Sequence, residues 1–169
     1  MSSGASAVPA DYFMRADGPL KPSDAVAALL VREDGRYVMQ LRDAMPNIFY
    51  PDHWGCFGGA VDPGERPDAA LRRELREELE FELPTAREFT RFDFDFRSVG
   101  HPKTSRIYYE VPVSDEAWRR FVLHEGADVQ AFDGAELLAR RKVSPYDAFA
   151  LFIHLNRERF AAGAKTSGG

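Results

Sequence analysis

The chain has 169 residues, 44% of them hydrophobic and 29% charged, enough for one domain with its own core and little left for a second. Its 27 acidic against 22 basic side chains leave a net charge of −5, which argues against a protein that grips nucleic acid through a broad basic surface. A lone cysteine, Cys56, excludes an internal disulfide and argues against a cysteine-built zinc site. No run approaches the ~18 apolar residues of a membrane span. The start, MSSGASAVPADYF, lacks the charged opening and apolar core of a secretion signal, so the expectation is a cytoplasmic protein without a membrane segment.

Residues 1–22 are rich in Ser, Ala, Gly and Pro and read as a loosely held arm. A single domain is expected over 23–162, with a flexible tail, GAKTSGG, at 163–169. Within the domain, Ala25 to Val31 is a short apolar run suited to a buried strand. Glu33-Asp34-Gly35-Arg36 supplies a turn, and Tyr37 to Arg42 alternates like the return strand of a hairpin. Residues 43–53 form a loop with two prolines and several aromatics, and Trp54 to Phe57 is a short strand ending at Gly58-Gly59. A Gly/Pro turn then leads into a helix. Two strands follow, Glu88 to Phe96 and Arg106 to Val113. The first carries Phe89, Phe92, Phe94 and Phe96 as apolar members, with Asp93 and Asp95 on a wet face. Val129 to Phe132 adds a last strand, and Ser144 to Phe160 predicts a closing amphipathic helix with Phe149, Ile153 and Phe160 on its apolar side. The order of elements is mixed α/β.

The helix carries an electrostatic problem. Leu71, Leu75 and Leu79 form one stripe facing the core. On a wheel of about 100° per residue, Glu78 falls about 20° from Leu71, Glu74 about 60° and Glu77 about 120°, all on one side. Glu78 thus sits at the margin of the buried stripe. Glu74 and Glu78 are four apart, as are Glu78 and Glu82, and each such like-charge pair costs roughly 0.2–0.5 kcal/mol. Among the nearby arginines only Arg73 is well placed to neutralise them. A solvated acidic face is one reading. A divalent cation is the other, since carboxylates at this spacing can converge on a hard ion that also takes substrate phosphates.

From Gly59 the pattern runs five residues to Glu65, seven more to Arg73, then Glu74-Leu75-Arg76-Glu77-Glu78-Leu79-Glu80-Phe81. This closely resembles the Nudix box of the Nudix hydrolase family, G-x5-E-x7-R-E-U-x-E-E-x-G-U with U a bulky aliphatic residue. Glu80 stands where the family has glycine and Phe81 replaces the last aliphatic residue; the missing glycine predicts a different helix exit or one further turn. The resemblance implies an α/β/α sandwich around a mixed sheet. It also implies a metal-dependent hydrolase that cleaves the pyrophosphate of a nucleoside diphosphate derivative, such as a nucleoside triphosphate or an NDP-sugar. By similarity Glu77 and Glu78 are metal ligands for Mg²⁺ or Mn²⁺, and Glu74 is a third ligand or the base that activates water. Arg73 orients Glu74. Glu65 supports the loop, joins the ion cluster or meets substrate. Gly58 and Gly59 let the backbone approach closely, with a Gly59 carbonyl available to the metal.

Outside the box, Glu125 stands where some family members place another metal-binding or basic carboxylate, or is an ordinary loop residue. Arg42 resembles a strand-end arginine that meets phosphate, or forms a surface salt bridge; Arg106 and Lys103 are weaker candidates. Phe49, Tyr50 and Trp54 either stack on a base or pack. The four histidines have no ligand spacing. An isopentenyl-diphosphate-isomerase-like enzyme, with Cys56 as its thiol, and a non-catalytic nucleotide-binding module are the alternatives. The expected partner is a small nucleotide derivative rather than nucleic acid or membrane, with homodimerisation open.

Overall fold

The run AVAALLV forms the centre of strand β1 (Ala25–Arg32) in a computed structural model that describes residues 22–45 and 48–166. Val26, Ala28 and Leu30 point to one side of the sheet and Ala27 and Leu29 to the other, all buried. A strand covered on both faces needs apolar residues at successive positions, which explains a continuous run rather than an alternating one. Gly35, at φ +80°, turns the chain into β2 (Tyr37–Leu41), antiparallel to β1.

The segment after the 43–53 loop begins as β3 (Trp54–Gly55), paired with Gln40 and Leu41 of β2. It then crosses to β1, where Phe57 bridges Ala28 and Ala60 bridges Ala25. Residues 54–60 therefore fill the fork between β1 and β2. Beyond helix α1 (Pro67–Leu79) come β4 (Arg87–Asp95), β5 (Lys103–Val113), the short helix α2 (Asp115–Arg119) and β6 (Asp128–Phe132). Helices α3 (Gly134–Arg140), α4 (Pro145–Leu155) and α5 (Arg157–Thr166) complete the chain. The sheet runs β3-β2-β1-β5-β4, with β6 on the remaining edge of β2. It is mixed, because β1 and β5 are parallel and the other pairs antiparallel.

Helix α1 packs Leu71, Leu75 and Leu79 onto the face of Val26, Ala28, Leu30 and Phe57. Leu137 of α3 and Ala150 and Leu151 of α4 cover the opposite face. The expected α/β/α sandwich is the observed fold.

Several details differ from the sequence expectation. Helix α1 ends at Leu79 without a further turn. Glu80 takes the left-handed conformation itself (φ 52°), its N–H donates to the Arg76 carbonyl, and Phe81 N–H reaches back to Leu75. This is the closing arrangement usually given to glycine, built with glutamate. The closing helix divides at Asn156, whose side-chain amide donates to the Phe152 carbonyl and competes with helix continuation. Its buried side is Asp147, Ala150, Leu151 and His154, so Phe149 and Phe160 point outward, 56% and 53% exposed. Helix α5 runs to Thr166, into the segment assigned to a tail. The arm assigned to 1–22 lies, but for Pro22, outside the described residues.

Candidate active site

The apolar stripe of α1 carries Glu78 inward with it. Only 4% of the residue is exposed, and its Oε2 accepts the Gly58 N–H at 3.0 Å. Burial pushes the Glu78 carboxyl up to about 8, with the charges of Glu125 and Glu74 adding to the effect. Glu74, one turn earlier, is also raised by burial, against the opposing pull of Arg73. Both glycines are required by close approach. Gly58 sits at φ +122°, where a Cβ would lie 2.4 Å from the Val26 carbonyl oxygen. A Cβ on Gly59 would lie 2.7 Å from the Glu74 carboxylate. The Gly59 carbonyl accepts the Val26 N–H at 2.9 Å.

Arg73 ties the loop to the helix. Nη1 donates to Glu74 Oε1 at 2.6 Å and to Glu77 Oε2 at 3.3 Å. Nε and Nη2 engage both oxygens of Glu65 at 3.1 and 2.9 Å, and Nη2 also reaches the Ala60 carbonyl. The planar five-donor fork of arginine suits this task in a way that lysine does not. Glu65, held below its ordinary value mainly by Arg73, also accepts the Asp62 N–H.

Glu125 arrives from the loop before β6. Val122 and His124 donate to the last carbonyls of α1, Leu79 and Glu78, and Ala127 donates to Leu41 of β2. Gly126, at φ +92°, presses against Gln40 and Leu41, where a side chain would clash. These ties bring Glu125 to the same cavity as Glu74 and Glu78.

That cavity, about 630 Å³, has two chemically distinct ends. Glu74, Glu78, Gly58 and Gly59 belong to one. The other is aromatic and cationic, with Phe49, Tyr50, Phe94, Phe96 and Tyr146 beside Arg42 and Arg106. Arg42 Nε donates to the Phe49 carbonyl at 2.8 Å. Arg106 stacks over the Tyr146 ring at 4.6 Å and lies 3.5 Å from Asp147, which is 1% exposed. Asp147 also accepts from Tyr108 Oη, Ser144 Oγ and the Cys56 N–H.

The NUDIX domain family model matches residues 21–158. The chain belongs to the Nudix family. A 50-residue stretch is 46% identical to the nucleoside triphosphatase NudI of Escherichia coli O1:K1, covering 30% of this chain and 35% of that protein. The match thus spans about a third of the length of that relative. Over most of the chain, the ORF135 protein of E. coli is similar, at 26% identity and a TM-score of 0.64, covering 84% of this chain and 98% of that one. A MutT protein from Methanosarcina mazei Go1 shares the fold at 20% identity and the same TM-score, over 84% and 99% of the two chains.

Within the Nudix box, the structure distributes the predicted residues unevenly. Glu74, Glu78, Gly58 and Gly59 line the cavity, and so do Arg42 and Glu125. Glu77 does not; its side chain is 61% exposed and turned toward Arg73. Glu65 also lies outside the cavity lining, braced against Arg73. Among the described residues no three His, Cys, Asp or Glu side chains already gather in ion-holding geometry. Arg73 is what balances Glu74. The donor set nevertheless fits a hard cation: the available donor atoms are oxygens, two carboxylates are buried and destabilised as anions, and the glycine backbone lies against Glu74 with no side chain between.

Other candidates separate cleanly. Trp54 packs on Phe132 at 4.7 Å, and Lys103 pairs with Asp93. Cys56 is buried among the α4-side core residues, its thiol raised by burial, and is absent from the cavity lining. Sequence reasoning missed Tyr146, Phe94, Phe96 and Asp147. The two phenylalanines were visible only as strand alternation, and Tyr146 and Asp147 only as the first turn of a helix. Nothing in their local pattern marks the cavity.

Proposed function

We propose that this Nudix-family chain is a Mg²⁺- or Mn²⁺-dependent hydrolase that cleaves the pyrophosphate linkage of a nucleoside diphosphate derivative. The observation that carries this reading is the polarity of one cavity: Glu74, Glu78 and Glu125 with the Gly58-Gly59 backbone, facing arginines and aromatic rings. Glu78, Glu74, Glu125 and the Gly59 carbonyl are the oxygen donors for the cation, and Glu77 is a further ligand if Arg73 releases it. When bound, a divalent cation neutralises phosphate oxygens and acidifies water.

The chain's own residues do the rest. Glu74 or Glu125 receives the proton of the attacking water. Arg73 holds Glu74 in place through its contacts with Glu65 and Ala60. Arg42 neutralises substrate phosphate from the opposite wall. Catalysis thus rests on positioning and charge, as expected where little covalent chemistry falls to the protein.

The test is release of nucleoside monophosphate or phosphate from a panel of nucleoside triphosphates, NDP-sugars, dinucleoside polyphosphates and ADP-ribose, with Mg²⁺ and with chelator. Metal-dependent turnover of at least one class is expected. A well-folded protein that turns over none of them in Mg²⁺ or Mn²⁺ sinks the proposal.

A further inference from the structure

The catalytic proposal leaves the aromatic rings of the cavity, and the buried ion pair in its wall, without a role. The row of strand partners there runs Ala60, Ala25, Arg106, Phe92. Arg106 is thus two strand spacings, roughly 10 Å, from the glycine segment beside the carboxylates. Its side chain is 15% exposed and lines the cavity. Nε donates to Tyr108 Oη at 3.1 Å and Nη2 faces Asp147. Among the described residues that accounts for two of its three nitrogens and leaves the Nη1 donors for a ligand.

Three features define what that ligand group is. Tyr146 lies under the guanidinium, with Tyr50 edge-on to Tyr146 at 5.3 Å and the Phe94 and Phe96 rings nearly parallel to each other, which favours a flat aromatic group. Tyr50 is held at φ +50°, an unfavourable conformation for tyrosine of the kind that clusters at ligand sites. The charge of Arg106 is matched by Asp147, buried in the wall behind it, so Arg106 itself offers a neutralised donor. An anionic group gains little from Arg106, whereas a neutral carbonyl oxygen is matched. A carbonyl oxygen accepts from Nη1, whereas an exocyclic amino group in the same place sets donor against donor.

We infer that Arg106 reads the base of the nucleotide and selects uracil, thymine or guanine, which present a carbonyl at pyrimidine position 4 or purine position 6, over cytosine and adenine, which present an amino group there. Arginine is the usual reader of a guanine carbonyl, and uracil and thymine present the equivalent acceptor where cytosine presents an amino donor. The inference builds on the nucleotide hydrolase reading but is tested separately from it.

Nucleoside monophosphates are titrated into the full chain without metal, comparing UMP with CMP and GMP with AMP. The carbonyl member of each pair is expected to bind roughly tenfold or more tightly. The double variant Arg106→Met/Asp147→Asn, which removes both charges and leaves no buried carboxylate unpaired, brings the ratios close to one. The retained affinity for CMP and AMP shows that its cavity is intact. Where turnover is present, kcat/KM for UTP over CTP and GTP over ATP follows the same ratios. Ratios near one in the wild type, no binding of any monophosphate, or ratios unchanged in the double variant each overturn the assignment. A clear binding preference without hydrolysis in Mg²⁺ or Mn²⁺ sinks the catalytic proposal instead and leaves this one standing.

Discussion

Gly58 and Gly59 are adjacent, yet they fail differently if given a side chain. A Cβ on Gly58 meets fixed backbone at 2.4 Å and sits at a strained φ. Gly58→Ala should therefore lower stability by about 1–3 kcal/mol in denaturant unfolding. A Cβ on Gly59 meets the movable end of Glu74 first, so Gly59→Ala should keep its unfolding midpoint and lose Mn²⁺ affinity. If the two variants lose stability alike, the division of roles is wrong. Arg73→Lys keeps a charge but gives up the fork that engages Glu65, Glu74 and Ala60 at once. A fall of roughly 10–100-fold in metal affinity with an unchanged melting temperature is expected. Glu78 sets the pH dependence. Its ordinary value is 4.5 and its folded value about 8, so between those values the folded chain keeps a proton that the unfolded chain has released. Stability contributed by this group is present at low pH and is lost as pH rises from 4.5 to 8. Melting temperatures of the metal-free protein should fall across that window, and Glu78→Gln should flatten the fall. Parallel profiles for the two proteins would contradict this.

At the scale of elements, legibility followed how strongly each one's burial was written into its sequence. Strand β1 was plain because both faces are covered and the apolar run is unbroken. Helix α1 was plain because its leucines recur at helical spacing. Helices α2 and α3, of 5 and 7 residues, are too short to establish a period and were not foreseen. The phenylalanines of β4 alternate only from Phe92 onward; Phe89 joins them through a bulge between Glu88 and Thr90. The exposed Phe149 and Phe160 misled for the opposite reason, since the buried side of α4 includes Asp147 and His154, held by hydrogen bonds from other elements. Glu80 gives the sharpest prediction at this scale. A left-handed non-glycine residue costs about 1–2 kcal/mol, and its exposed contact with His124 returns little. Glu80→Gly should raise stability by about 1 kcal/mol, measured from the denaturant midpoint. A loss of stability would mean that the His124 contact outweighs the strain.

Across the whole molecule, the carboxylate end of the cavity was legible because Glu74, Glu78 and the glycines sit within one contiguous motif. The aromatic end was not, because it is assembled from the 43–53 loop, β4, β5 and the first turn of α4, which meet only through the sheet order. Glu77 and Glu65 show the converse limit: a motif gives spacing, while Arg73 decides which carboxylates turn toward it. The most direct test of the assembled site is calorimetric titration of Mn²⁺ into the wild type and the Glu78→Gln variant at pH 8.5. The account predicts saturable uptake by the wild type and affinity at least roughly tenfold weaker in the variant. No uptake by the folded wild type, or equal affinity in both proteins, would contradict it.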